Sequence, residues 1–459
     1  MPMVRSSRLV PRLAAVLLGL GLLGAVEAGL RLSGHFEAPV GGTTAPWDPA
    51  GARLRSDLDA QLSQTRVDGQ PGLAVPVRLA RGVMQAEQWT TRPPPGRLRV
   101  FALGGSATYG LPVQRQPART FPGRTQAWLE ARGHPAQVIN LGGAGFGSAE
   151  VLRLAAQLVD QGAQAWVLYA GNNEYFRYAL GRYEAERSRQ KGAVLDGLRL
   201  VRALRSLLPA QPAPAPPLVD VAAEQRRIVA QALARDLVPP QARPRPDAQG
   251  RWHRHDPAQA TVLANWQDRL RQLGALADQA GATLYVVRVP ANLVAAPWLS
   301  LHDPDLSATQ AAQVEAELTR AAQAAQGGDP FQTVAQAQAA LELDPSYAAA
   351  WYWLGMGQLA QGEVEPARRS LENALRLDMD PGRPLPELGK ITDRVLAEGD
   401  AQGIDLGPLL ASARAGPLGR NLFVDTCHLR PEAYDAVGDA IARALEQGLA
   451  DGRVHAPPD

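Results

Sequence analysis

Three short strand-like runs, each breaking off into a glycine-rich polar loop, constrain the fold of this chain most tightly. Leu98 to Leu103 ends in Gly104-Gly105, Gln137 to Leu141 in Gly142-Gly143, and Ala165 to Ala170 in Gly171. Helical spacing separates them, over Phe121 to Arg132 and again over Glu150 to Gln161. Apolar runs of this length without polar alternation read as strands buried on both faces. Strands alternating with helices predict an α/β fold with a parallel sheet. Active sites of such sheets lie beyond the carboxyl ends of the strands, where all three polar loops fall.

The rhythm is then interrupted twice. Residues 175–265 hold helical stretches around a proline-rich piece at 209–217, an insertion that is either a lid or surface decoration. Val262 to Ala280 is again helical, and Thr283 to Val289 makes a fourth strand. Further on, Trp351, Leu354, Gly355, Gly362, Ala367, Leu371 and Ala374 fall at the spacing of a tetratricopeptide repeat. The run ALELDP at 340–345 closes a degenerate copy before it, in which Gly328 fits but the small residue expected near Thr333 is displaced. Fewer than about 3 such repeats rarely stand alone. The pair is therefore expected to pack on the α/β domain, as a plain helical hairpin module or as a surface for a protein partner. Afterwards Ile391 to Glu398 is helical and Gly403 to Leu406 is the fifth strand. Phe423-Val424-Asp425 then leads into a last helix over Pro431 to Glu446.

At roughly 150 residues per domain, 459 residues allow two or three units. The expected division is a signal segment at 1–32, a linker or strap at 33–95, and an α/β domain whose first part spans 96–311. A repeat insertion at 312–391, the second part of the α/β domain at 392–450 and a tail at 451–459 follow. A formal net charge of +2 leaves no electrostatic case for nucleic acid as a partner. Cys427 is the only cysteine, so an intramolecular disulfide and a cysteine-based zinc site are both excluded.

Arg5, Arg8 and Arg12 precede an apolar stretch from Leu13 to Val26, with Glu27 and Arg31 beyond it. A basic flank followed by an apolar run is the pattern of a secretory signal or signal anchor. The run is shorter than the ~20 residues that span a bilayer comfortably. An uncleaved anchor, cleavage after Ala28 and an apolar helix of a soluble protein remain open. Either of the first two makes the membrane a partner of the N-terminus and places the rest of the chain outside the cytoplasm.

Four blocks carry chemistry. Gly104-Gly105-Ser106-Ala107-Thr108 follows the first strand and can expose a serine at the sheet edge, as a nucleophile requires. Asn140 to Gly147, with glycines at 142, 143, 145 and 147, can offer backbone N–H groups to an oxyanion. No phosphate-cradling lysine accompanies either loop, which argues against a nucleotide site. Gly171-Asn172-Asn173-Glu174 ends the third strand and supplies neutral amide donors, or simply a turn or helix cap. Asp425-Thr426-Cys427-His428 places a carboxylate three residues before an imidazole, a spacing at which the acid can orient the ring toward a serine. Cys427 is an alternative nucleophile but reads as a packing residue, with His428 facing elsewhere.

In this order the four blocks resemble those of the SGNH/GDSL hydrolase superfamily, over about 97–178, 281–298 and 403–446. The most similar set is bacterial membrane-anchored members, some carrying tetratricopeptide repeats. The resemblance implies a three-layer αβα fold with a mostly parallel five-stranded, flavodoxin-like sheet and an inserted helical hairpin module. It implies Ser106 as nucleophile, His428 as general base and Asp425 as its orienting acid. The oxyanion hole would be the N–H groups of Ser106 and Gly145 and the side chain of Asn173. No metal or cofactor is required. Gly105 stands where the family has the Asp of its GDS core, and Glu174 where it has the Asp of its third block. The implied activity is an extracytoplasmic esterase or deacylase on an acyl ester, with an O-acylated cell-surface glycan as the substrate by analogy. An O-acyltransferase with the same triad and a catalytically silent scaffold presenting the repeats are the alternatives.

Overall fold

The computed structural model describes residues 61–80, 83–175, 245–253, 257–303, 305–379, 381–399, 401–406, 419 and 421–456. The N-terminal segment expected to be a signal or anchor, and most of the insertion at 175–265, lie outside the described residues. Among the described residues, no helix is long and apolar enough to cross a membrane.

The segment read as a strap is folded over its described part. Strands β1 (Ser63–Val67), β2 (Gln70–Ala74) and β3 (Gln88–Thr90) form an antiparallel sheet. Its sequence hides this because the strands are short and only Gly72 and Trp89 in them are buried, so they carry no apolar run. Trp89 anchors the unit at 1% exposure, its ring 5.6 Å from that of Phe101. Arg99 fastens it from the other side. Its buried guanidinium donates to the carbonyls of Thr90 and Gln161, each at 2.7 Å. Burial lowers its pKa to about 10.

The five expected strands form one parallel sheet. They are β4 (Leu98–Gly104), β5 (Ala136–Gly142), β6 (Ala165–Tyr169), β7 (Thr283–Val287) and β8 (Gln402–Ile404). Their spatial order is β8-β7-β6-β4-β5, the flavodoxin-like order in which winding reverses beside the first strand. Helices α1 (Ser106–Tyr109), α2 (Phe121–Ala131), α3 (Ser148–Ala155) and α4 (Pro257–Gln279) connect the first four strands. Alternate residues of each strand feed two cores. Phe101, Leu103, Trp166, Leu168 and Val286 face α3 and α4, while Val100, Ala102, Val167, Tyr169 and Val287 face α2. Burial on both faces is why β6 reads as an unbroken apolar run and β4 as one interrupted only by the buried Arg99. The exposed edge, β5, has its outward N–H groups capped by side chains. Gln126 accepts from Val138 at 3.0 Å and Glu87 from Asn140 at 3.1 Å. Burial raises the Glu87 pKa to about 7, against the hydrogen bond from Asn140 that lowers it.

Two helical hairpins stand between β7 and the end of the sheet: α5 (Ala308–Gln326) with α6 (Pro330–Leu343), then α7 (Ala348–Ala360) with α8 (Val364–Leu377). Equivalent positions recur at one constant offset. Gly328 and Gly362 make the turns with φ of +75° and +82°. Thr333 and Ala367 are buried, as are Ala340 and Ala374, and Asp344 and Asp378 close the hairpins. Thr333 itself fills the small-residue position that looked displaced, its hydroxyl satisfied by the carbonyl of Asp329 at 2.8 Å. Helix α9 (Pro386–Glu398) begins before the expected boundary at 391 and packs on the sheet face of α4. The closing helix α10 (Pro431–Ala450) covers the opposite face with α2.

Candidate active site

Strand β4 delivers Ser106 to the first position of α1, at the carboxyl edge beside the point where the winding reverses. The Thr108 hydroxyl donates to the carbonyl of Tyr169 at 3.2 Å and ties this turn to the end of β6. The Asp425 loop arrives from the far end of the chain and builds its own geometry. Asp425 Oδ1 accepts the N–H groups of Cys427 at 2.9 Å and His428 at 2.8 Å, an Asx-type turn. Val424 N–H donates to the His428 carbonyl at 2.9 Å and closes it. The second carboxylate oxygen, Oδ2, lies 2.7 Å from His428 Nδ1, and His428 Nε2 lies 2.8 Å from Ser106 Oγ. A carboxylate only accepts, so Nδ1 carries the proton, and in the neutral ring Nε2 is left to accept from the serine.

Burial pulls the His428 pKa down, but the hydrogen bonds to Asp425 and Cys427 outweigh it and hold the ring at about 10. Asp425 shows the converse. Burial opposes its ionisation, and three hydrogen bonds from Cys427 and His428 bring its pKa to about 2.

The three blocks of the expected oxyanion hole also meet. Asn173 Nδ2 donates to the carbonyl of Phe146 at 2.8 Å, which fixes the amide and leaves its second hydrogen free for another acceptor. Gly145 has a φ of +78°, so the loop turns there as an ordinary side chain would resist. Among the described residues, the N–H groups of Ser106 and Gly145 have no backbone acceptor.

Gly105 has a steric reason. A Cβ there would lie 2.8 Å from Asn173 Nδ2 and 2.9 Å from the Phe146 carbonyl oxygen, so any side chain would push Asn173 aside. Glu174 is structural. Fully buried, it accepts the N–H of Ser148 at 2.9 Å and its hydroxyl at 2.5 Å, with Arg269 3.8 Å away. It thus ties the Asn173 loop to the start of α3. Burial raises its pKa, against the charge of Arg269.

One expectation needs correction. His428 does not face away from Cys427: the thiol lies 3.8 Å from Nδ1 and 4.0 Å from Nε2. Both nitrogens nonetheless have closer partners in Asp425 and Ser106. Donor atoms of Asp425, Cys427 and His428 all lie within 4.8 Å of one another, close enough for one ion. An ion using Nε2 would displace the serine.

Sequence reasoning missed Asn292 and Trp298, which reach the Asp425 loop from the irregular segment after β7. Neither sits in a motif, so no local signal marks them.

No protein-family model matches the chain, and no curated protein matches it. Among solved structures, a GDSL-like lipase from Bacteroides thetaiotaomicron superposes with a TM-score of 0.31 at 10% identity, covering 76% of this chain and 89% of its own. A candidate acylhydrolase from Bacteroides fragilis gives 0.33 at 11% identity, covering 78% and 91%. Superpositions this loose carry no argument about the site, whose reading rests on the distances above.

Asn173→Ala should lower kcat toward an activated ester by about 10²–10³-fold, the usual effect of losing one oxyanion donor. KM should move far less. Steady-state kinetics on the folded variant check this, and an unchanged kcat would remove Asn173 from the site.

Proposed function

We propose that the chain is a serine esterase or deacylase of the SGNH type, working through an acyl-serine intermediate at Ser106. One observation carries the reading: the unbroken line from Asp425 through His428 to Ser106, at 2.7 and 2.8 Å. His428 Nε2 takes the Ser106 proton as Oγ attacks the ester carbonyl. The developing oxyanion is met by the N–H groups of Ser106 and Gly145 and the amide of Asn173. His428 then returns the proton to the leaving alcohol, and water repeats the sequence to free the acid. Asp425 keeps its charge throughout and steadies the imidazolium.

The N-terminal basic–apolar pattern supports a location outside the cytoplasmic membrane. Together with the resemblance to anchored members, it makes an O-acylated cell-surface glycan the substrate class to try first. The experiment is labelling by a fluorophosphonate probe. Wild type should label and Ser106→Ala should not; a folded wild-type protein that never labels would sink the proposal. Acetyl release from acetylated glycans, with and without an acceptor sugar, then separates hydrolysis from acyl transfer.

A further inference from the structure

Asp425 and His428 share one turn, but Ser106 arrives on a different strand, so the turn must be held both in shape and against the serine. Two contacts from the segment after β7 reach the loop. Asn292 Nδ2 donates to the backbone carbonyl of Asp425 at 2.7 Å, and Trp298 Nε1 donates to the Thr426 hydroxyl at 3.2 Å. That segment has no regular structure of its own. It is gripped instead from the end of the helical insert. Asp378, the residue closing α8, accepts the N–H groups of Trp298 at 2.9 Å and Leu299 at 3.0 Å. Arg383 donates to the carbonyls of Asn292 and Ala295, each at 2.6 Å. Asp378 and Arg383 are almost wholly buried, at 0% and 1% exposure, and lie 3.7 Å apart, so each offsets the other's charge. Gly382 lies flat against the Trp298 ring, where a Cβ would just touch the indole at 3.5 Å.

The equivalent residue of the first hairpin does the same one step along the chain. Asp344 accepts the N–H of Asp303 at 3.1 Å and lies 3.0 Å from His302 Nδ1. Both hairpins therefore end in a buried carboxylate that captures the segment leading to the site. A plain surface decoration would not need either.

We propose that Asn292 and Trp298 are positioning residues for His428 and Asp425, and that the helical insert, through Asp378 and Arg383, is a working part of the active site. The inference rests on reading Ser106, His428 and Asp425 as a triad. A displacement of the loop by a fraction of an ångström would lengthen the 2.8 Å contact to Ser106. Misplacement by about 1 Å can cost on the order of 10²-fold in rate. Anything that loosens or reseats the insert therefore acts on the chemistry.

The test uses the full chain with 15N-labelled histidine. It follows the His428 imidazole through pH by NMR in wild type, Asn292→Ala, Trp298→Phe and Asp378→Asn. The titratable and charged groups acting on the ring are Asp425 and Cys427 on its own loop, and beyond them Arg383 from the insert and the Tyr169 and Tyr434 hydroxyls from β6 and α10 act on Cys427. None is changed by the first two variants. In all three variants the His428 pKa should fall toward its ordinary range as the Asp425 contact loosens. Fluorophosphonate labelling of Ser106 should slow about tenfold or more, and the midpoint of the rising limb of activity should move down with the ring. A variant that merely lost stability would reduce the active fraction and leave both midpoints in place. Unchanged titration and labelling in all three folded variants overturns the inference. If wild type never labels, the esterase reading fails, while the imidazole titration still decides whether the clamp exists. Should Asn292→Ala not fold, Trp298→Phe, which keeps the ring's bulk, decides.

Discussion

His428→Ala should abolish nearly all esterase activity, lowering kcat on an activated ester by on the order of 10⁶-fold with KM little changed. The reason is the 2.8 Å contact between Nε2 and Ser106 Oγ. Without a base at that point the hydroxyl must lose its proton to water, and a free serine is a weak nucleophile at neutral pH. Ser106→Ala should be as damaging. The double variant should be no worse than either single one, because the two side chains perform one step together. What remains is the oxyanion donors and substrate binding, with roughly 10³-fold over the uncatalysed rate. Steady-state kinetics on the three variants decide the matter. Losses that multiply in the double variant would mean that Ser106 and His428 act separately, and the triad reading would be wrong.

Asp425→Asn should cost on the order of 10⁴-fold and also change the pH dependence in a definite direction. Burial lowers the His428 pKa, but Asp425, with Cys427 beside it, holds it up at about 10, well above its ordinary range. Attack needs the neutral ring, so kcat/KM for wild type should climb with pH into the alkaline range. An asparagine supplies no charge, so the midpoint of that climb should move down toward the ordinary imidazole value near 6.5. A pH–rate profile whose midpoint stays put would show that some other group controls the climb. Stability follows the same groups with opposite limits. The raised His428 pKa contributes stability that is complete below its unfolded value and fades as pH rises through the folded one. The lowered Asp425 pKa contributes stability that is complete above its unfolded value and is lost as pH falls through about 2. The pair therefore contributes most between these limits, in weakly acidic solution, and Asp425→Asn should flatten the pH–stability curve there.

Much of this could be read directly because it is local. Strands β4, β6 and β7 are buried on both faces and wear that burial as largely apolar runs, and the ends of β4 to β6 mark the site edge. The Asp425-to-His428 spacing contains its own turn, since Asp425 Oδ1 accepts the two N–H groups that follow it closely. The first antiparallel sheet was not legible. SQTRV is short and polar and QPGLA is short and broken by proline and glycine, and what makes them strands is the packing of one tryptophan and the carbonyl grip of Arg99. The role of Gly105 was equally hidden, because it is defined by the closeness of Asn173, a residue from another strand.

By itself, then, the chain determined which loops end at the carboxyl edge of the sheet and which short blocks could serve a serine nucleophile. Only the tertiary structure decided that Ser106 and His428, 322 residues apart, meet at 2.8 Å. Part of that meeting comes from α10 lying on α2, held by Arg124 to Asp439 at 2.8 Å and by the Tyr434 hydroxyl on the Leu111 carbonyl at 2.7 Å. The rest comes from Asn292 and Trp298, seated by the helical insert. Contacts of that kind join residues with no common period or motif. They arise from the packing of whole elements, and a pattern read along the chain records only what neighbours in sequence share.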